Sequence, residues 1–145
     1  MIDFYSFLTK NGEKRLTIKA YIYSFYYRFL VMKVPMKKLQ NKFGIRGEES
    51  TYDFPEGMGR YVRLCAFHVN RITEHLPWDA KCFVRALTLR KLLNEKNISS
   101  TIYLGVMEED GKLKAHAWLR CGSYYLTGGK GEGFAVVAKF RNSNT

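Results

Sequence analysis

The chain has 145 residues, 46% of them hydrophobic and 15% aromatic, enough to bury one core. That excludes a disordered chain. A net charge of +11 favours acidic partners (nucleic acid, anionic lipid or an acidic peptide) without choosing among them.

Cysteine usage narrows the setting. Cys65, Cys82 and Cys121 are odd in number and widely spaced. They fit neither a disulfide framework nor a CxxC metal knuckle, so a reducing compartment is expected. The start Met1-Ile2-Asp3-Phe4 has no basic n-region, and no small-x-small cleavage site follows. The expected location is the cytoplasm, with no metal and no cofactor. The longest apolar stretch, Ala20 to Met32, contains Arg28 and follows Lys19. It is too short and too charged to span a membrane.

In chain order, residues 1–14 read as a loose lead-in with a turn at Asn11-Gly12. Arg15 to Lys33 reads as a helix. Leu16, Ala20, Tyr23, Tyr27 and Leu30 share one face, and Tyr21, Phe25 and Phe29 make the other side apolar too. A helix greasy on both sides is buried twice or docks to a partner, and a membrane surface is the less favoured reading. Met36 to Phe43 reads as a short basic helix ended by Gly44. Gly44 to Gly59 is rich in glycine and charge and reads as a linker or mobile loop. Arg60 to His75 is helical again, with Tyr61, Leu64, Cys65, His68 and Ile72 on one face. His68 and His75 lie two turns apart, too far for a metal pair on a helix, and read as packing or surface residues.

The next helix runs from Ala80 to about Lys96. Asp79 is its expected N-cap, Cys82 its third residue and Asn97 its C-terminal cap. The texture then changes to period two. Thr101 to Met107 reads as a strand, Glu108 to Gly111 as a hairpin turn, and Lys114 to Cys121 as a second strand. Ser123 to Thr127 and Phe134 to Phe140 follow as strands, around the run Gly128-Gly129-Lys130-Gly131-Glu132-Gly133. That run lacks the Lys-Ser/Thr ending of a phosphate loop and reads as a flexible hairpin loop. The fold class is α+β: N-terminal helices followed by an antiparallel sheet of about four strands. The expected division is an aromatic helical segment over 1–45, a linker over 46–59 and a core over 60–145.

Cys82 sits at a helix mouth, a setting that lowers a thiol pKa and makes a nucleophile. A lone cysteine there is also compatible with a small buried hydrophobe. In the strand Lys114 to Cys121, His116 and Trp118 point one way and Ala115, Ala117 and Leu119 the other. If the Cys82 helix packs on the His116 face, thiol and imidazole meet as nucleophile and base. The backbone N–H of Cys82 would then be an oxyanion donor, since first-turn amides are free. A nucleic-acid binder rests only on dispersed positive charge with interleaved tyrosines.

Pro77-Trp78, Cys82, Arg85-Ala86-Leu87, Leu89-Arg90 and Leu92-Leu93, then Ile102 to Val106 and Ala115-His116-Ala117-Trp118-Leu119, together resemble a known family. It is the transglutaminase-like cysteine peptidases of lasso-peptide biosynthesis, in their stand-alone form. The resemblance covers residues 60–140 well and the N-terminal helix more loosely. It implies a transglutaminase-like or papain-like core with the nucleophile at a helix N-terminus. It implies a leader peptidase with Cys82 and His116 catalytic. The partners implied are a precursor peptide, a small leader-recognition protein and a macrolactam cyclase, with no nucleic acid and no membrane. Family members place an Asp about a dozen residues after the histidine. Here that stretch, Ser123 to Gly128, has no carboxylate, and Thr127 occupies the nearest position as a candidate third member; the alternatives are a Cys82–His116 dyad, a carboxylate from elsewhere, or an impaired enzyme. The alternative is a non-catalytic adaptor of the same fold that holds the peptide or the cyclase.

Overall fold

The computed structural model describes residues 14–53, 56–75 and 81–142. Among the described residues four α-helices precede most of the sheet: α1 (Lys14–Lys33), α2 (Met36–Leu39), α3 (Gly59–Glu74) and α4 (Lys81–Glu95). The strands are β1 (Ile45–Arg46), β2 (Thr101–Glu109), β3 (Lys112–Cys121), β4 (Tyr124–Thr127) and β5 (Ala135–Arg141). They form one antiparallel sheet in the order β1-β5-β2-β3-β4. The α+β plan stands, with five strands rather than four. The additional strand, β1, is two residues long and pairs with the last strand of the chain.

The spacing of four and three residues in α1 buries Ala20, Tyr27 and Leu30. The opposite side stays in solvent: Ile22, Phe25, Phe29 and Met32 are each more than half exposed. Lys19 pairs with Glu95 at 3.1 Å, and the Tyr23 hydroxyl also donates to Glu95, tying α1 to the end of α4. α4 ends on Asn97, whose φ of 58° is left-handed, and Ile98 N–H donates back to Leu93 O at 3.0 Å. That is the left-handed cap asparagine tolerates. Asp110 and Gly111, with φ of 53° and 76°, make the two-residue turn between β2 and β3, the type whose twist matches the strands. His68 is buried and approaches Thr17 across the α1–α3 contact.

The core lies between the helices and one face of the sheet. Phe83, Leu87 and Leu89 of α4 share it with Val62 and Val69 of α3 and with Ile102, Leu104, Ala117, Leu119 and Phe140 of the sheet. The helix that carries Cys82 therefore packs on the Ala117–Leu119 face, not on the His116 face that the alternation left open. β3 alternation says which residues share a face, but core volume decides which face a helix takes. Small Ala117 and Leu119 accept a helix, whereas Trp118 and Arg120 fill the other side.

That other side is closed by two pieces of irregular chain. Residues 128–134 connect the edge strand β4 to β5, which lies beyond β2 and β3 in the sheet order. The glycine run is thus a crossover over the His116 face rather than a hairpin loop. Gly131 lies so close to the Trp118 indole that a Cβ would overlap it, and its φ is 72°. The second piece is the stretch Glu49 to Tyr52, fastened by Arg120. Its guanidinium is fully buried and donates to Ser50 O at 2.8 Å, Thr51 O at 3.2 Å, Gly122 O at 2.6 Å and the Tyr103 hydroxyl at 2.9 Å. It also lies 3.5 Å from the Glu49 carboxylate and 3.7 Å from the Tyr52 ring centroid.

Candidate active site

Of the three cysteines, Cys65 and Cys121 are buried and only Cys82 is partly exposed. All three are free thiols. Cys82 lies in the first turn of α4, the end where backbone N–H groups lack intrahelical partners. Its expected cap, Asp79, lies outside the described residues, as do Pro77 and Trp78. Burial pushes the Cys82 thiol above its ordinary value. The backbone N–H groups of Ala117, Phe83 and Cys82 itself act against that rise without cancelling it. The helix mouth thus softens the cost of burial but does not yield a low-pKa thiol.

The Ala117 amide locates the sulfur. Ala117 follows His116 on β3 and faces Leu104 of β2. β4 pairs with β3 only at Leu119, Arg120 and Cys121, with a shift in register between Leu119 and Arg120. Ala117 therefore lies on a part of the outer edge that β4 has left. Cys82 reaches this edge from the helix face.

His116 reaches the same edge from the other face. Its Nε2 lies 2.8 Å from Gly128 O, just past the end of β4. A carbonyl only accepts, so Nε2 carries a proton, and Nδ1 is the nitrogen left to act as a base. Phe134 packs on the imidazole with ring centroids 5.0 Å apart, and Trp118 stacks on it at 5.8 Å. Tyr103 continues the stack on Trp118 at 5.7 Å. The two residues the sequence singles out flank one strand edge at Ala117, wrapped around it rather than facing each other across a helix–sheet layer.

Thr127 takes a different place. Its hydroxyl is buried and has no hydrogen-bond partner among the described residues. The acceptor that orients the imidazole is the next residue's main chain. Gly128 has φ of 73°, and a Cβ there would lie 2.6 Å from Ala117 O and 3.1 Å from His116 Nε2. Only glycine lets the backbone come this near the ring. No residue-type signal could mark a carbonyl as this partner, although the glycine at that spacing is its trace. No group of three or more His, Cys, Asp or Glu side chains among the described residues could hold a metal ion. No described helix is long and apolar enough to cross a membrane.

The profile of the transglutaminase-like superfamily matches residues 31–139. The chain belongs to that superfamily. This transglutaminase-like domain places its partly exposed cysteine at a helix start and its histidine on a sheet strand. The superfamily includes cysteine peptidases and transglutaminases. No curated protein and no solved structure matches the chain at a significant level.

One pH dependence follows for this transglutaminase-like thiol. Only the thiolate is alkylated, and burial raises the pKa of Cys82 above the ordinary thiol value. The alkylation rate by iodoacetamide, followed at Cys82 by peptide mass mapping, is expected to keep rising through the range where an ordinary thiol has already levelled off. A plateau reached near neutral pH would show a preformed thiolate and contradict the burial argument.

Proposed function

We propose that the chain is a cysteine peptidase that cuts the leader from a lasso-peptide precursor. The observation that carries the reading is the approach of Cys82 and the Gly128-tethered His116 to the same edge of β3 at Ala117. The resemblance in the segments around both residues supplies the substrate class.

In this reading Cys82 rests as a thiol, the form that burial favours. His116 Nδ1 takes the thiol proton as the Cys82 sulfur attacks the scissile carbonyl. The charge that develops on the carbonyl oxygen falls near the Cys82 backbone N–H. The imidazolium then gives its proton to the leaving amine, which becomes the α-amine of the core peptide. The acyl group stays on sulfur as a thioester of the leader's last residue. Water, deprotonated by His116, displaces the thiol and frees the leader. The Gly128 carbonyl holds the ring through both proton transfers, the task an orienting carboxylate performs elsewhere. The test is cleavage of a precursor peptide at the leader–core junction, with the recognition protein present. Loss of that cleavage in Cys82→Ala is required, and persistent cleavage would end the assignment.

A non-catalytic adaptor is the second reading. It is favoured by a thiol pushed above its ordinary value and a histidine tethered to a main-chain carbonyl. Precursor binding without turnover by the wild-type protein would establish it.

The leader-recognition protein and the cyclase need a docking surface. The outward side of α1 offers Tyr21, Ile22, Phe25, Tyr26, Phe29 and Met32 in one stripe at helical spacing. It borders an open groove of about 630 Å³ whose lining includes Lys42, Arg90 and Lys91, a basic floor suited to an acidic partner. Scattered apolar residues need no explanation, but a continuous stripe marks an interaction surface. The double variant Phe25→Ser/Phe29→Ser is expected to weaken recognition-protein binding by at least about tenfold, as loss of aromatic anchors does. Its melting temperature should stay close to wild type, since both rings are exposed. Unchanged affinity in a pull-down or calorimetric titration would move the docking surface elsewhere.

A further inference from the structure

We infer that the outer edge of β3 from Leu113 to Ala117 is a docking edge for an extended peptide, which adds as a further strand and presents its scissile bond to Cys82. The inference rests on the peptidase reading for the last step only. The strand docking itself stands on the sheet.

The direction of each backbone group on β3 follows from its turn. Asp110 and Gly111 form a two-residue turn, so the flanking pair Glu109 and Lys112 exchange both of their hydrogen bonds. Antiparallel pairs alternate, so Lys112, Lys114 and His116 direct N–H and C=O at β2. Leu113, Ala115 and Ala117 direct theirs outward. Two independent observations agree with that parity. The Ala117 N–H acts on the Cys82 sulfur, and the Ala117 O lies against Gly128.

Farther along, β4 uses the same outward groups at Leu119 and Cys121 and then departs. Among the described residues β2 pairs with Leu113 and Ala115 on the inner side, and no strand pairs with them on the outer side. Leu113 is 77% exposed and Ala115 is exposed as well. The N–H and C=O of Leu113 and Ala115, four main-chain groups, therefore have no strand partner on the outer side among the described residues. An unpaired edge is a template for another strand, and proteins often guard it with lysines, as Lys112 and Lys114 do here. This edge differs from a merely guarded one because it runs into a thiol. Residues two apart on a strand are about 7 Å apart, so a peptide residue paired at Ala115 lies within two residues of the Cys82 sulfur. Main-chain pairing would bind a leader with little regard to its sequence, and alternate side chains would face Leu113 on one side and His116 on the other.

The test uses precursor peptides that carry one backbone N-methyl group at successive positions across the leader–core junction. Affinity is measured for the Cys82→Ala protein, so the result does not depend on turnover. Affinity should fall at least tenfold at alternate positions only, the period of a strand. The same peptides with wild-type protein should show KM rising in that pattern with kcat little changed. Ala115→Pro removes one outward N–H and leaves the β2 pairing whole, as proline is tolerated on edges. It should lower affinity to the same extent. A flat N-methyl profile, or no binding of any peptide, would overturn the inference even if Ala115→Pro failed to fold. Alternating affinity without cleavage by the wild-type protein would keep the docking edge and reject the peptidase.

Discussion

Replacing Cys82 with alanine is expected to lower kcat/KM for precursor cleavage by at least about a thousandfold, roughly 4 kcal/mol of transition-state stabilisation. Alanine keeps the helix start and the apolar contact, so loss of the sulfur is the main change. His116→Ala should cost a similar amount, and the double variant should be no worse than either single one, because nucleophile and base act as a unit. Thr127→Val is the informative control. The Thr127 hydroxyl has no hydrogen bond among the described residues, so the exchange should leave kcat/KM within about twofold. A Thr127→Val loss as large as that of His116→Ala would restore the threonine as the third member. Steady-state cleavage followed by mass spectrometry reads all four proteins, and thermal melts show that each is folded.

The second large effect is on stability. Arg120→Met is expected to cost about 3–5 kcal/mol, the range found when one partner of a buried charged network is removed. Methionine fills much of the volume but leaves the carbonyls of Ser50, Thr51 and Gly122 without this donor. Glu49 keeps its 2.7 Å bond to Lys139, the main reason its carboxyl lies below the usual range, so the surviving acid is not left unpaired. For a chain of this size the loss corresponds to a fall of roughly 10 °C or more in Tm. A shift below 2 °C in a calorimetric scan would mean that water replaces the guanidinium and that the stretch 49–52 is not held by it.

The helices and the hairpin were legible because local pattern and tertiary demand agree in them. The four-three spacing of Ala20, Tyr27 and Leu30, the cap at Asn97 and the turn at Asp110-Gly111 each follow from near neighbours in the sequence. β1 was not legible, since two residues carry no period and Ile45 pairs with Arg141 at the far end of the chain. The faces of β3 were legible but not their assignment. Alternation put His116 with Trp118, yet the core took Ala117 and Leu119. Arg120 escaped notice because an arginine in a strand ordinarily points to solvent, and here four acceptors from three segments close around it. For the candidate site, Cys82 and His116 were suggested by residue type and by resemblance. The Gly128 carbonyl was invisible because every residue has one.

The placement of that carbonyl changes how the site responds to inheritance. A carboxylate that orients a histidine is lost by a single codon change. An orienting main-chain oxygen survives every codon change at its own position, because no amino acid lacks it. What a mutation at residue 128 can alter is shape alone, since any side chain would meet Ala117 O and the imidazole. A saturation screen would therefore score Gly128 as intolerant of acids, amides and alkyl groups alike. Such a uniform profile is the genetic signature of a hydrogen bond made by the backbone.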